Sequence, residues 1–177
     1  MAGLLASAAL LFVERGYEAT TMTEIATRAG ASIGSLYLFF PTKPALAQAM
    51  LTDLAQTLST LLDALALEVT GCSAAAIADA LFRELSVFLH QHPEYTVLVE
   101  HAGDEVWRQA VRAHRRVQIA ALFGLASPAL PDGQAERLAL LVPSLMRSVM
   151  ILGSESTAVQ EALLLELRAM LWHHLTK

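Results

Sequence analysis

Apolar residues recur along this chain at the three-to-four-residue spacing of helices, and no stretch alternates with the period of two expected of a half-buried strand. Leu5, Ala8, Ala9 and Phe12 stand at i, i+3, i+4 and i+7, which predicts one stripe of a first helix. Gly16 follows and can adopt the left-handed conformation that ends it. Thr21 and Glu24 have the spacing of a capping box, so a second helix opens at Thr21, with Ile25, Ala26 and Ala29 on its inner face and Gly30 as its stop. Ser32 caps a short third helix over residues 33–40, and Pro41 ends it because a residue before proline is pushed out of helical geometry. Thr42 caps a long fourth helix running to about Leu67. Further helices are predicted near 74–90, 93–101, 105–124, 134–152 and 157–174. Gly71-Cys72-Ser73, Pro93, Gly103-Asp104, the loop 127–133 with Pro128 and Pro131, and Gly153-Ser154 separate them. The fold class expected is all-α, with about nine helices.

Composition narrows the setting. Hydrophobic residues make up 55% of the 177 residues and charged residues 16%, too apolar for disorder and rather apolar for a free monomer. The excess needs a partner subunit, a cavity or a membrane. No segment reaches the roughly 20 consecutive apolar residues that spanning requires, so no membrane partner is expected. Leu4 to Val13 lacks the basic residues that precede a signal-peptide core and is read as helix. Cys72 is the only cysteine, so no internal disulfide can form, which suits a cytoplasmic location. A formal net charge of −5 argues against a generally basic nucleic-acid coat but leaves room for a small local reading surface.

The most informative segment is Thr20 to Lys43, TTMTEIATRAGASIGSLYLFFPTK. It reads helix, tight turn, helix. The turn Gly30-Ala31-Ser32 leaves little room, so the two helices must cross steeply, as in a helix-turn-helix whose second helix enters the major groove. Ala8-Ala9, Phe12, Gly16-Tyr17, Thr20-Thr21, Ile25-Ala26, Ala29-Gly30, Ser32, Gly34, Leu36-Tyr37, Phe40 and Lys43 occur in one order. In that order they resemble the DNA-binding domain of the TetR (tetracycline-repressor) family of transcription regulators. The match covers roughly the first quarter of the chain; the remainder resembles the family only in helical content.

The resemblance implies an N-terminal three-helix DNA-binding domain over residues 1–45 and a helical ligand-binding and dimerisation domain over 46–177. Leu36 and Phe40 are expected to pack inward. Tyr37 and Lys43 are similar to the family tyrosine and lysine that meet backbone phosphates. Thr21 can offer its hydroxyl and nearby helix-terminal amides to another phosphate. Base reading is expected of Ser32, Ile33 and Ser35, because a serine hydroxyl donates or accepts and isoleucine can touch a thymine methyl. Gly34 would let the backbone come close. Two features depart from the family. Residues 1–50 hold Arg15, Arg28 and Lys43 against Glu14, Glu18 and Glu24, so the head sums to zero and little electrostatic help with phosphates is expected. Leu38 and Phe39 stand where polar, basic or histidine side chains are usual; apolar base contact and extra packing are both open.

Other motifs carry less. Gly30-Ala31-Ser32-Ile33-Gly34 matches the G-x-S-x-G nucleophile elbow, but that elbow needs a preceding strand and the segment 24–29 reads as helix, so no enzyme is expected. His90, His92 and His101 straddle a helix boundary and are read as surface histidines; His173-His174 diverge by about 100° on a helix, and neither group is expected to hold a metal. Arg112, Arg115 and Arg116 read as a solvated face, with an anionic-ligand or interdomain contact as the alternative. No cofactor is expected.

The last two helices are apolar most of the way round and must be covered on several sides. By resemblance they form half of a four-helix homodimer interface, with Leu141, Leu145, Val149, Leu163, Leu167, Met170 and Leu171 at the contact; packing into the monomer core is the alternative. The resemblance also implies an effector pocket among the middle helices. Phe82, Leu85, Phe88, Leu89, Tyr95, Leu98, Trp107, Val111 and His114 are its candidate walls, suited to a mostly apolar molecule. The function expected is a ligand-responsive regulator, a repressor that binds a palindromic double-stranded operator as a dimer and is released by a small-molecule effector. The alternative is a degenerate member that dimerises or binds a small molecule without specific DNA binding.

Overall fold

The structure is a computed structural model that describes residues 2–151 and 156–175, the side chains of residues 149–151, 157 and 160 excepted. Among the described residues every regular element is a helix: α1 (Ala2–Arg15), α2 (Met22–Arg28), α3 (Ile33–Phe39), α4 (Lys43–Glu68), α5 (Ala74–Gln91), α6 (Glu94–His101), α7 (Glu105–Gly124), α8 (Gln134–Ile151) and α9 (Thr157–Leu175). The all-α expectation holds. Pro93 sits just ahead of α6, at its cap, rather than as its first residue. The expected break at Gly153-Ser154 lies outside the described residues.

The chain forms two compact units. One comprises Met1–Thr57 with Leu89–Val111, the other Leu58–Phe88 with Arg112–Lys177. In the first unit, α1 buries Leu4, Ser7, Ala8, Leu11 and Phe12, so its inner stripe is centred one residue earlier than the Leu5, Ala8, Ala9 and Phe12 register predicts. The reason is what covers the helix. The Tyr17 ring tilts against Phe12 with centroids 5.3 Å apart, and the buried Thr20 hydroxyl donates to the Leu11 carbonyl at 3.2 Å and the Gly16 carbonyl at 2.8 Å. The loop after α1 thereby folds back onto the Leu11–Phe12 side. A helix apolar on nearly every face leaves periodicity unable to choose between neighbouring registers. Ile25, Ala26, Leu36, Leu46, Ala47, Met50 and Leu51 complete this core. Each large aliphatic side chain buried there contributes about 1.5–3 kcal/mol relative to exposure.

In the second unit, α5 carries its inner face on Ala74, Ala75, Ile77, Ala78, Leu81, Phe82, Leu85 and Phe88. Ile119, Leu122 and Phe123 of α7, Leu58, Leu62 and Leu65 of α4, and Leu138, Val142 and Met146 of α8 are also buried. Polar ties fix the packing. Gln118 donates to the Ser59 hydroxyl at 2.7 Å, and the Ser127 amide donates to the Cys72 carbonyl at 2.9 Å. The Arg168 guanidinium on α9 grips the Asp79 carboxylate on α5 with two N–H groups, which raises the arginine pKa. No described helix is long and apolar enough to cross a membrane.

Candidate nucleic-acid interface

The α2–turn–α3 segment is built by local chemistry. Thr21 caps α2: its Oγ1 accepts from the Glu24 amide at 3.2 Å, while its own amide donates to Glu24 Oε2 at 2.9 Å. The reciprocal box predicted from sequence is therefore formed. Gly30 ends α2 at φ +63°, a conformation that disfavours any side chain, and the Ala31 amide closes back on the Ala26 carbonyl at 3.0 Å. Ser32 then caps α3, its Oγ accepting from the Ser35 amide at 3.1 Å. α2 and its closing turn, rather than the strand that a hydrolase elbow requires, precede Ser32, and the serine serves as a cap.

One side chain orients α3. Leu36 is fully buried and Phe40 is buried beyond the helix end, as expected of both. At about 100° per residue, Gly34 and Leu38 then lie opposite Leu36 and point outward. Leu38 is 81% exposed, and Ile33, Tyr37 and Phe39 are exposed beside it. Ser32 and Gly34 are exposed, and Ser35 is half-buried. Five of the residues expected at DNA (Ser32, Ile33, Gly34, Ser35 and Tyr37) are thus brought together on one short helix.

The other two are engaged elsewhere in the head. The Thr21 hydroxyl donates to Glu24 Oε2 at 2.8 Å. Lys43 Nζ donates to three carbonyls, of Tyr17 at 2.8 Å, Glu18 at 3.2 Å and Thr20 at 3.0 Å. Its ammonium also lies 4.4 Å from the Tyr17 ring centroid, a cation–π distance. Lys43 is a clasp that fastens the start of α4 to the loop between α1 and α2. The remaining basic side chains of residues 2–50 are paired as well. Arg15 on α1 meets Glu24 on α2 at 2.7 Å, and Arg28 on α2 grips Glu14 on α1 at 2.5 and 2.7 Å. The Arg28 hydrogen bonds hold the Glu14 carboxyl below its ordinary pKa, and the Thr21 hydroxyl and amide do the same for Glu24, with Arg15 adding to it.

Sequence reasoning missed a further participant. The imidazole of His101, at the end of α6, stacks flat on Tyr17 with centroids 5.1 Å apart and 3° between the planes. Its Nδ1 lies 3.9 Å from Glu18 Oε1. His101 stood in the sequence as a surface histidine, and nothing in local spacing could join it to a tyrosine 84 positions earlier. Among the described residues no three His, Cys, Asp or Glu side chains are grouped to hold a metal.

The candidate effector and interface residues distribute as follows. Of the proposed pocket walls, Phe82, Leu85, Phe88 and His114 belong to the second unit, and Leu89, Tyr95, Leu98, Trp107 and Val111 to the first. Phe82, Leu85, Phe88, Tyr95 and Leu98 are buried; Leu89, Trp107 and Val111 are half-buried; His114 is exposed. A shallow cleft of about 190 Å³, open to solvent, is lined by Ala75, Ala78, Asp79, Phe82, Arg168, Leu171 and Trp172. Most of that volume is open solvent; the enclosed space is about 10 Å³, against the roughly 300–1,000 Å³ usual for ligand pockets. Among the expected dimer residues, Leu141 and Met170 are exposed, and Leu145, Leu163, Leu167 and Leu171 are half-buried. The Val149 side chain lies outside the described residues. Leu140, Val159, Leu165 and Trp172 add further exposed apolar surface on α8 and α9.

Comparison with known proteins agrees with this geometry. Residues 4–50 match the family model described as bacterial regulatory proteins, tetR family. No curated protein matches the sequence. Among solved structures, regulatory protein TetR from Rhodobacter sphaeroides is similar with a TM-score of 0.78 at 18% identity, covering 98% of this chain and 97% of that one. The TetR family regulator PfmR from Thermus thermophilus gives a TM-score of 0.76 at 16% identity, over 96% and 97% of the two chains. FadR from Bacillus subtilis, solved in complex with stearoyl-CoA, gives 0.69 at 15% identity, over 94% and 96%. At these identities the likeness is one of fold.

Proposed function

We propose that the chain, whose residues 4–50 match the model of the tetR family of bacterial regulatory proteins, is a member of that family and a ligand-responsive repressor that binds a palindromic operator as a homodimer. Residues 1–45 form the reading head and residues 46–177 the dimerising, effector-responsive body. The observation that carries this reading is the orientation of α3: Leu36 anchors it inward, so Gly34 and Leu38 face outward, with Tyr37 and Ile33 exposed at their sides. Tyr37 positions the helix on a phosphate, and Ser32, Ile33 and Ser35 face base edges. Two copies joined through α8 and α9 would set two reading helices about 34–36 Å apart, or a multiple of that, on successive major grooves.

The exposed Leu141 and Met170, with half-buried Leu145, Leu163, Leu167 and Leu171, support the dimer. An apolar face left to water on two long helices demands a cover. The effector is a small, mostly apolar molecule, supported by the aromatic and aliphatic residues of the middle helices and by the stearoyl-CoA bound to the similarly folded FadR. It acts only through unequal affinity for the DNA-competent and DNA-released arrangements. The engagement of Arg15, Arg28 and Lys43 within the head favours a second reading, a dimer that has lost specific DNA binding. Gel shifts of the neighbouring intergenic DNA, with sedimentation of the free protein, decide between them. A retarded band competed by the same duplex but not by random DNA supports the repressor. A dimer that retards none of these fragments supports the second reading.

A further inference from the structure

We infer that the reading helix recognises the C5 methyl groups of thymine, with Leu38 as its central specificity-determining contact, an assignment that rests on the DNA-reading function above. Direct readout depends on side-chain chemistry. Guanine is read by arginine or lysine, adenine by asparagine or glutamine, and cytosine by an acidic acceptor. The sequence of α3, IGSLYLF, contains none of these residue types. It retains hydroxyls and apolar groups, and the one base feature that an apolar group reads is the thymine methyl.

Geometry places the apolar groups where the groove would be. With Leu36 buried, Leu38 and Gly34 form the ridge directed most squarely away from the core. Gly34 has nothing within 4 Å of where a side chain would begin, so the ridge is bare ahead of Leu38 and lets the duplex approach it. Ile33 and Phe39, 38% and 49% exposed, flank it on opposite sides. The hydroxyls are less well placed, since the Ser32 Oγ already accepts from the Ser35 amide and Ser35 is half-buried. No cation reaches in from α2, because Arg28 is held by Glu14.

A second copy of the chain fits this face poorly. A helix of seven residues is about 10 Å long, and the few side chains on its outer face offer far less than the roughly 800 Å² per partner of a stable interface. A row of methyls in a groove matches its length and its lack of charge.

The test uses the full chain and a pool of random duplexes. Rounds of selection should enrich duplexes with thymine in both half-sites. The enriched duplex is then resynthesised with deoxyuridine at every thymidine, which removes only the methyls. Each lost methyl contact should weaken binding about fourfold, so the symmetric pair should weaken at least about tenfold. Leu38→Ala, at an exposed position that leaves the far-ultraviolet dichroism unchanged, should shrink that thymine-to-uracil ratio. Specific binding that is indifferent to uracil overturns the inference and leaves the DNA-reading function standing. A Leu38→Gln protein whose sedimentation shifts while the ratio stays fixed assigns the face to a second copy and also overturns it. Failure to enrich any duplex removes the DNA-reading function itself, and the inference with it.

Discussion

Two surfaces of this molecule leave apolar side chains in water, and they differ in scale and surroundings. On α3 the exposed residues sit on seven residues of helix with a buried leucine directly beneath. On α9 they run along 19 residues, with Leu165 61% and Met170 67% exposed. The first patch is about 10 Å long and suits a groove; the second approaches roughly 30 Å and suits a subunit. Their supports differ too. Behind α3, capping bonds, cross-helix ion pairs and the Lys43 clasp tie α1, α2 and the start of α4 together. On α9 the ion pair of Arg168 with Asp79 stands among exposed apolar residues interspersed with Glu161, Glu166, His173 and His174.

Charges on the broad face should break the comparison most severely. Leu141→Glu with Met170→Glu is expected to give a monomer by sedimentation and to weaken operator binding about 10²–10⁴-fold, because the two heads lose their shared effective concentration. In the head, Leu36→Ala should cost about 2–5 kcal/mol by removing the anchor of α3, read as a lowered melting temperature. If the variant melts normally, the orientation of the reading surface rests on something other than this leucine. Lys43→Met should cost about 1.5–3 kcal/mol, since three carbonyls lose a charged donor. A normal melting temperature with weakened DNA binding would instead make Lys43 a phosphate contact.

The smallest effect expected is a pH dependence of the head. Glu14 and Glu24 have lower pKa values folded than unfolded. Their contribution is therefore present above the ordinary carboxylate range of about 4 and drains away as pH falls through and below it. Thermal melts between pH 7 and 3 should decline less steeply for Glu14→Gln than for the parent. Parallel curves would show that the Arg28 pair contributes nothing measurable, as exposed pairs often do.

Much of the fold was legible because the signals are local. Thr21 with Glu24, Gly30, Ser32 and Thr42 mark helix ends through bonds to neighbours within a few residues, and the observed caps use those atoms. Leu36 and Phe40 were legible as inward residues because they are an apolar pair at i, i+4 that also matches the family pattern, while the other such pair, Ile33 with Tyr37, carries a polar hydroxyl. The stripe of α1 was not, because Leu4, Leu5, Ala8, Ala9, Leu10 and Leu11 satisfy several registers, and its neighbours made the choice. The partners of Lys43, of Arg28 and of His101 were illegible for a different reason: each is joined by folding to a residue distant in the chain. The exposure of Leu38 was half legible, as an unusual residue whose direction only the backbone could supply.

The ring of Tyr17 has one further implication. It is pressed between an ammonium from the start of α4 and an imidazole from the end of α6, and its own backbone carbonyl anchors that same ammonium. Three chain segments therefore share a single flat bearing. Losing any one of the three would leave the other two leaning on a ring with an open side, so the loop between α1 and α2 is held from two directions at one point.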